Sequence, residues 1–261
     1  MTSAITPAGR AHAAYWDELA EAYQSQTRIS LTEFHYGPLI PGDAGLRLLP
    51  SPLNGLRCLE LGCGAGQNSI VLAKAGARCT AIDISEHMLI HARTLAEQEG
   101  VVSEFRNADL DALPNFGTGS FDLIHSAYGL PFSSDPERVV QRCAELLAPG
   151  GVLLFSMGHP VYAGEWLELD DDPGMFLHSY FHPAPDAREG EGTDALSRAF
   201  PISEVAEWIV GAGLRIDRIL EPPALPDRKL QEAPYISEAW AEQAGELRRF
   251  PIVAIYRAHK P

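Results

Sequence analysis

Gly62, Gly64 and Gly66 occupy alternate positions in Leu59 to Gly66, LELGCGAG, behind an apolar run, and Glu60 sets a carboxylate in front of them. Glycines in such a turn let a ligand lie directly against the backbone. A dinucleotide-binding turn would read G-x-G-x-x-G; counted from Gly62, Gly64 is in place but Gln67 stands where the last glycine belongs. Glu60 points the same way, since a carboxylate beside the turn repels a pyrophosphate and favours a ligand with cationic groups. The chemistry indicated is recognition of a cationic, phosphate-free small molecule.

The turn sits within a regular alternation of strand-length apolar runs and helical periods. RCLEL (57–61) leads to a helix ending at Lys74, RCTAID (78–83) to a helix from Ser85 to about Gln98, and SEFRNA (103–108) and FDLIHSA (121–127) to a helix over 136–147 and then GVLLFSM (151–157). Such alternation implies parallel strands joined by crossover helices, a doubly wound α/β sheet that binds ligands beyond the carboxyl ends of its strands. LELGCGAG ends at that edge. Ahead of it, Tyr15, Leu19 and Tyr23 recur at four-residue spacing beside Trp16 and Ala20, an amphipathic helix over 10–25. Together with the proline-punctuated 38–55 and its short helix near 43–49, it forms an N-terminal helical cover over 10–50. After Met157 the rhythm breaks, and 158–200 reads as a lid or substrate-binding insertion. A helix at 202–213, strands at 214–220 and 250–258, and a helical stretch around 237–247 complete one domain, 1–261.

S-adenosylmethionine (SAM) carries an ammonium and a sulfonium and no phosphate, so it meets the conditions set by the turn. LELGCGAG resembles the first motif, E/D-x-G-x-G-x-G, of class I SAM-dependent methyltransferases, and the likeness continues through CTAIDIS, NADLDALP, FDLIHSAYGLPF and LLAPGGVLLFS. It covers Tyr15 to Met157, and more loosely the last two strands. The resemblance implies a Rossmann-like seven-stranded sheet of order 3-2-1-4-5-7-6 with strand 7 antiparallel. It also implies that Gly62, Cys63 and Gly64 hold the cofactor, that Asp83 accepts both ribose hydroxyls, and that Ile84 and Met88 sandwich the adenine. Asp109 would take the adenine amino group and the Leu110 amide its ring nitrogen, while His125 to Tyr128 would border the methionine part and the methyl group. Glu60 would contact the ligand or bond to loop amides.

His125, ending the fourth strand, and His159, in FSMGHPVY, are candidate general bases, because imidazole titrates near neutrality. His159 also resembles an S-x-x-HP motif of bacterial small-molecule methyltransferases. Each reads equally as a packed, hydrogen-bonded histidine. Tyr23, Tyr128, His159, Tyr162 and Tyr180 are candidate walls of an acceptor pocket. Asp170 to Asp172 read as a solvated loop, since three consecutive acids cannot converge on one cation, and no metal is expected.

The chain carries a formal charge of −15, and 164–194 alone holds nine acids against one arginine. That balance disfavours a nucleic-acid partner. No stretch of eighteen apolar residues and no signal-peptide pattern occurs, so neither a membrane partner nor export is expected and the location expected is cytoplasmic. The four cysteines lack paired CxxC spacing and read as reduced thiols. The expectation is a SAM-dependent methyltransferase acting on a small-molecule acceptor by in-line displacement, with natural-product biosynthesis as the setting and the oligomeric state open. The alternatives are an NAD(P)-dependent oxidoreductase on a similar sheet and a non-catalytic SAM-binding module.

Overall fold

A computed structural model describes residues 5–167, 174–183, 185–190 and 193–261. Seven strands form one sheet: β1 (Arg57–Leu61), β2 (Arg78–Asp83), β3 (Ser103–Asn107), β4 (Phe121–Ala127), β5 (Leu147–Gly158), β6 (Arg215–Leu220) and β7 (Val253–His259). Their order is β3-β2-β1-β4-β5-β7-β6, with β7 antiparallel to both neighbours and the first five parallel. This is the 3-2-1-4-5-7-6 order expected from the sequence. The direction of winding reverses between β1 and β4, which opens a crevice beyond their carboxyl ends.

Side-chain alternation builds a core on each face. Leu59, Leu61, Ile124, Leu153 and Phe155 face one way, into a cluster with Val139, Val205 and Trp208. Cys58, Leu123, Val152 and Leu154 face the other way, among Leu72, Phe34, Ala244 and Leu247. Helices α1 (Pro7–Gln26), α2 (Asp43–Leu46), α3 (Gln67–Lys74), α4 (Glu86–Gln98), α5 (Pro136–Leu146), α6 (Ile202–Gly211) and α7 (Glu238–Leu247) connect or cover these strands. Asp122 forks Arg57 across the start of β4 and β1, with Nη2 donating to Oδ1 at 2.7 Å and Nε to Oδ2 at 3.0 Å.

β5 is longer than its apolar run suggests, because the ladder with β4 already begins at Leu147, opposite Phe121, ahead of the Pro149 to Gly151 bend. α1 starts at Pro7, three residues earlier than the periodicity indicates. Thr6 caps it, its hydroxyl accepting from the Gly9 amide at 3.0 Å, and proline suits the first helical turn. Within the insertion, Glu165–Leu167 pairs with Gly174–Phe176 and Asp186–Gly190 with Thr193–Ser197, two antiparallel ribbons that no periodicity announced. A further short ladder, Thr27–Ile29 against Tyr235–Ser237, joins the end of α1 to the start of α7. Asp170 to Asp172 lie outside the described residues. No helix among those described is long and apolar enough to cross a membrane.

Candidate functional site

The glycine turn leaves β1 in a left-handed conformation at Gly62, Gly64 and Gly66 and leads straight into α3. β4 ends opposite it, where the Ser126 hydroxyl donates to Leu61 O at 2.7 Å. Tyr128, just past β4, holds a positive φ of 64°, a conformation an aromatic residue adopts only under constraint from its surroundings. Its amide donates to Ser156 O at 2.9 Å and its hydroxyl to Ile252 O at 3.4 Å, which fix the ring beside the turn.

Between these loops and α1 lies a cavity of about 250 Å³. Glu60, Gly62, Cys63, Gly64, Asp83, Ile84, Met88, Asp109, Leu110, Tyr23 and Tyr128 all line it. The lining set also includes His12, Trp16, Gln24, His35, Phe132, Tyr235 and Trp240, which sequence reasoning did not single out. Trp16 belonged to a recognised helical face. His35 and Tyr235 lie in irregular segments whose spacing carries no signal.

The acids on the wall differ in what holds them. Asp83 is buried; Oδ2 accepts the Gly64 amide at 2.7 Å and Oδ1 the Ser85 amide at 2.9 Å. Burial raises its pKa against the pull of those amides. Each oxygen keeps a lone pair free for a further donor. Glu60 Oε2 accepts from the Ser69 amide at 3.0 Å and the Ser69 hydroxyl at 2.5 Å, and burial pushes its carboxyl up to about 8. Asp109 Oδ2 takes both the amide and the hydroxyl of Thr6, at 2.9 and 2.7 Å, so the first turn of α1 is tied to it.

α1 is moored elsewhere to the same loops. Asp17 accepts from the Ser85 hydroxyl at 2.6 Å and the His87 amide at 3.1 Å, and Gln24 accepts from Gln67 Nε2 at 3.0 Å. The Tyr23 and Tyr235 hydroxyls bond to each other.

Four of the expected site residues lie off the cavity wall. His125 is sealed under the cavity and is not part of its wall; its ring packs edge-on against Phe34 at 5.2 Å, and neither ring nitrogen has a partner. Burial, with His35 nearby, holds it down at about 3. The cause is strand parity: His125 points to the same face as Leu123, into the core. His159 is also off the cavity wall. Its Nδ1 accepts the Val161 amide at 3.1 Å, so Nε2 carries the proton and donates to Glu221 Oε1 at 2.6 Å. With its lone pair committed, and its pKa lowered by burial against the pull of Glu221, it is no base for an acceptor. Tyr162 stands behind the wall, against Trp240 at 5.7 Å. The Tyr180 hydroxyl accepts from the Ile202 amide at 3.3 Å at the head of α6, away from the cavity.

No lysine or arginine lines the cavity among the described residues, while three acids do. An acid with spare lone pairs at the end of β2, apolar Ile84 and Met88 beside it, and a glycine turn with no cation to meet a phosphate fit a cofactor bearing positive charge and a ribose.

Comparison with known proteins agrees. Residues 59–155 match the family described as "Methyltransferase domain". The chain is similar to the S-adenosylmethionine dependent methyltransferase of Mesorhizobium loti, at 26% identity and a TM-score of 0.67, over 83% of this chain and 96% of that one. It shares the fold, at 19% identity and a TM-score of 0.52, with the 1,6-didemethyltoxoflavin-N1-methyltransferase of Burkholderia thailandensis, whose structure holds 1,6-didemethyltoxoflavin and S-adenosylhomocysteine; the match covers 84% and 74% of the two chains. The ubiquinone biosynthesis O-methyltransferase of Xanthomonas euvesicatoria pv. vesicatoria (strain 85-10) is 30% identical over 168 residues, 64% of this chain and 66% of that protein. The chain thus spans less than two thirds of that relative's length, and 41% of the corresponding Caulobacter sp. (strain K31) protein.

The fold, the glycine turn and the domain match over 59–155 are those of class I SAM-dependent methyltransferases. SAM is the cofactor of that class, and the dinucleotide-dependent alternative is set aside.

Proposed function

We propose that the chain transfers a methyl group from SAM to a small-molecule acceptor enclosed between the glycine turn, α1 and the aromatic residues Tyr23, Tyr128, Tyr235 and Trp240. The observation that carries this reading is the cavity itself, which joins the expected cofactor residues to a set of aromatic side chains. SAM, when bound, supplies a methyl group on a sulfonium whose departure as a neutral thioether leaves the acceptor with one proton to lose. The protein's share is to hold, orient and desolvate. Asp83 would hold the ribose, Ile84 and Met88 the adenine faces, and the glycine turn with Glu60 the amino-acid part. Met88 is itself buttressed by Gln24 of α1, whose Nε2 lies 3.7 Å from its sulfur.

The relatives named O-methyltransferases support oxygen as the methylated atom. The N-terminal cover over 10–50 and the insertion over 158–200 would close the chamber, the second ribbon of the insertion reaching α1 where the Leu196 amide donates to His12 Nε2 at 3.4 Å. A cytoplasmic natural-product pathway is the setting we favour, with neither nucleic acid nor membrane as partner.

Calorimetric titration of SAM and S-adenosylhomocysteine into wild type and Asp83→Ala, with NAD as control, tests the reading. Micromolar binding of both, weakened at least about tenfold in the variant, is expected from loss of a buried charged acceptor. No binding of either to folded protein would overturn it.

A further inference from the structure

We propose that the Tyr23 and Tyr235 hydroxyls together form the acceptor-recognition point of the cavity, and that the group they seat is a hydroxyl carried on a flat ring. The proposal rests on the methyltransferase reading and adds two residues and a substrate class to it.

The two phenols come from opposite ends of the chain. Tyr23 lies in the last turn of α1 and Tyr235 begins the short strand ahead of α7; both line the cavity, both are half-buried, and their hydroxyls bond to each other. Each ring is held from its own side. Tyr235 is in register with Ile29, its carbonyl accepts from the Leu39 amide at 3.0 Å, and its ring meets that of His35 edge-to-face at 5.3 Å. His35 is in turn clamped by Asn68 of α3, its amide donating to Oδ1 at 2.9 Å and its carbonyl accepting from Nδ2 at 3.0 Å. The Tyr23 ring stands edge-on to Trp16 at 5.7 Å, and the neighbouring Gln24 accepts from Gln67 Nε2 at 3.0 Å.

These supports place the pair between the glycine turn and Tyr128. Gln67 begins α3 directly after the turn. Gly37, two residues before Leu39, packs against the Tyr128 ring so closely that a Cβ would fall 2.6 Å from Cε2. Tyr128 sends its own hydroxyl to Ile252 O at 3.4 Å, so the contact between Tyr23 and Tyr235 is a polar point set among aromatic rings. The rings of Tyr128, Tyr235 and Trp240 supply aromatic surface for a flat body carrying the group that is recognised.

The chemistry of the pair selects that group. A phenol hydroxyl both donates and accepts, and in the bond between the two tyrosines one gives a hydrogen and the other a lone pair. A ligand hydroxyl entering between them takes that hydrogen and gives its own to that lone pair, so one hydrogen bond is replaced by two and neither tyrosine loses a partner. An ether oxygen takes the hydrogen but has none to return, so one bond is exchanged for one. The seat therefore favours a hydroxyl by one hydrogen bond, about three- to tenfold in affinity. Because the two phenols act on one group, neither keeps that preference without the other.

The test uses protein saturated with S-adenosylhomocysteine and two probes of the same ring, 4-nitrophenol and 4-nitroanisole, followed by tryptophan quenching at a pH where the phenol is neutral. Wild type should prefer 4-nitrophenol by about three- to tenfold. Tyr23→Phe and Tyr235→Phe should each erase the preference while 4-nitroanisole binding is kept, and the double variant should lose no more than either single one. Tyr162→Phe, which alters a tyrosine behind the wall, should keep the preference. In wild type labelled at the tyrosine ring carbon that bears the hydroxyl, the Tyr23 and Tyr235 resonances should both move with 4-nitrophenol and stay with 4-nitroanisole, a readout that needs no variant to fold. Equal binding of the two probes, binding of neither, loss of the preference in one single variant only or in neither, or losses that add in the double variant would overturn the proposal. Failure of S-adenosylhomocysteine itself to bind would instead strike the methyltransferase reading.

Discussion

Glu60 and His125 lie opposite each other in register across β1 and β4, Glu60 Oε1 3.9 Å from His125 Nδ1, too far for a hydrogen bond, and both are buried. Burial drives the two in opposite directions, Glu60 up to about 8 and His125 down to about 3. At neutral pH the pair is uncharged and is not an ion pair.

The pH dependence of stability follows from those shifts. Glu60 retains a proton in the folded state that it has lost in the unfolded chain between about 4.5 and 8, so its contribution is lost as pH rises through that window. His125 and His35 do the reverse: the unfolded chain binds protons they refuse, from about 3 and 4 up to 6.5, so stability rises with pH there. His12 and His159 act in the sense of the histidines, and Asp83 in the sense of Glu60 at more acid pH. Denaturant unfolding should show maximal stability near pH 6.5 and a decline toward pH 8 of at most about 1.4 kcal/mol per pH unit. Glu60→Gln should flatten the alkaline limb and steepen the acid limb above about pH 4.5, where Glu60 no longer opposes the histidines.

The same carboxyl lines the cavity proposed to hold SAM, so a cationic ligand there should draw off its proton. SAM binding near pH 7 is expected to release a fraction of a proton and to tighten with pH, by at most about tenfold per unit, up to about pH 8. Calorimetry in buffers of different ionisation enthalpy measures the release directly. Glu60→Gln should abolish it; a buffer-independent heat in wild type would show that Glu60 does not sense the ligand.

His159 and Glu221 tie the end of β5 to the residue following β6. Glu221→Ala should lower stability by about 1–3 kcal/mol, since it leaves the buried His159 N–H unmet, while the turnover number changes less than about twofold. A large fall in turnover with unchanged stability would return His159 to the chemistry.

Much of this was legible in the chain. The parallel α/β sheet was readable because strand alternation is a local pattern, and the strand order and the expected cofactor residues came with the family resemblance carried by the glycine spacing and the acid ending β2, each set by a few adjacent residues. The acceptor side was not. His35, Tyr235 and Trp240 meet through the Thr27–Ile29 and Tyr235–Ser237 ladder, a pairing between segments about two hundred residues apart that no periodicity encodes. His125 and His159 drew attention as histidines near strand ends, but which way each ring faces is decided by register and by the loop after β6. The amphipathic face of α1 was plain, whereas its moorings through Thr6, Asp17 and Gln24 depend on where β3 ends and where α4 and α3 begin.

The three turn glycines should separate on substitution. A Cβ on Gly62 would lie 2.9 Å from the Gly129 backbone, in addition to the strain of its φ of 65°, so Gly62→Ala should destabilise the fold by about 2 kcal/mol or more. Gly66→Ala should behave similarly, its Cβ falling 2.6 Å from the Phe105 ring. A Cβ on Gly64 meets nothing within 4 Å, and the residue lines the cavity. Gly64→Ala should therefore fold with a loss of only about 1–2 kcal/mol yet bind S-adenosylhomocysteine at least about tenfold more weakly. Equal loss of stability in all three would mean that the turn is built for folding alone.

Thr6 and the adenine expected beside Asp109 compete for one carboxylate oxygen. Oδ2 has two lone pairs, and the Thr6 amide and hydroxyl take both, while Oδ1 already accepts the Asp111 amide at 2.9 Å. An adenine amino group using Oδ2, and not the lone pair left on Oδ1, must displace part of the first turn of α1, and that turn would then be the segment to yield when the cofactor enters. Thr6→Val removes one of the two bonds at nearly constant volume and also removes the helix cap to Gly9. Tryptic cleavage at the exposed Arg10 should then accelerate in protein without added cofactor. S-adenosylhomocysteine should bind about three- to tenfold more tightly, because a hydrogen bond of about 1 kcal/mol no longer opposes it. Gly9→Ala, whose new Cβ would run into Asp109 Oδ2, should loosen the helix without freeing the oxygen, and so speed cleavage without improving binding. Faster cleavage with unchanged affinity in Thr6→Val would move the adenine amino group off Oδ2, to the lone pair that Oδ1 keeps beside the Asp111 amide or away from Asp109 altogether.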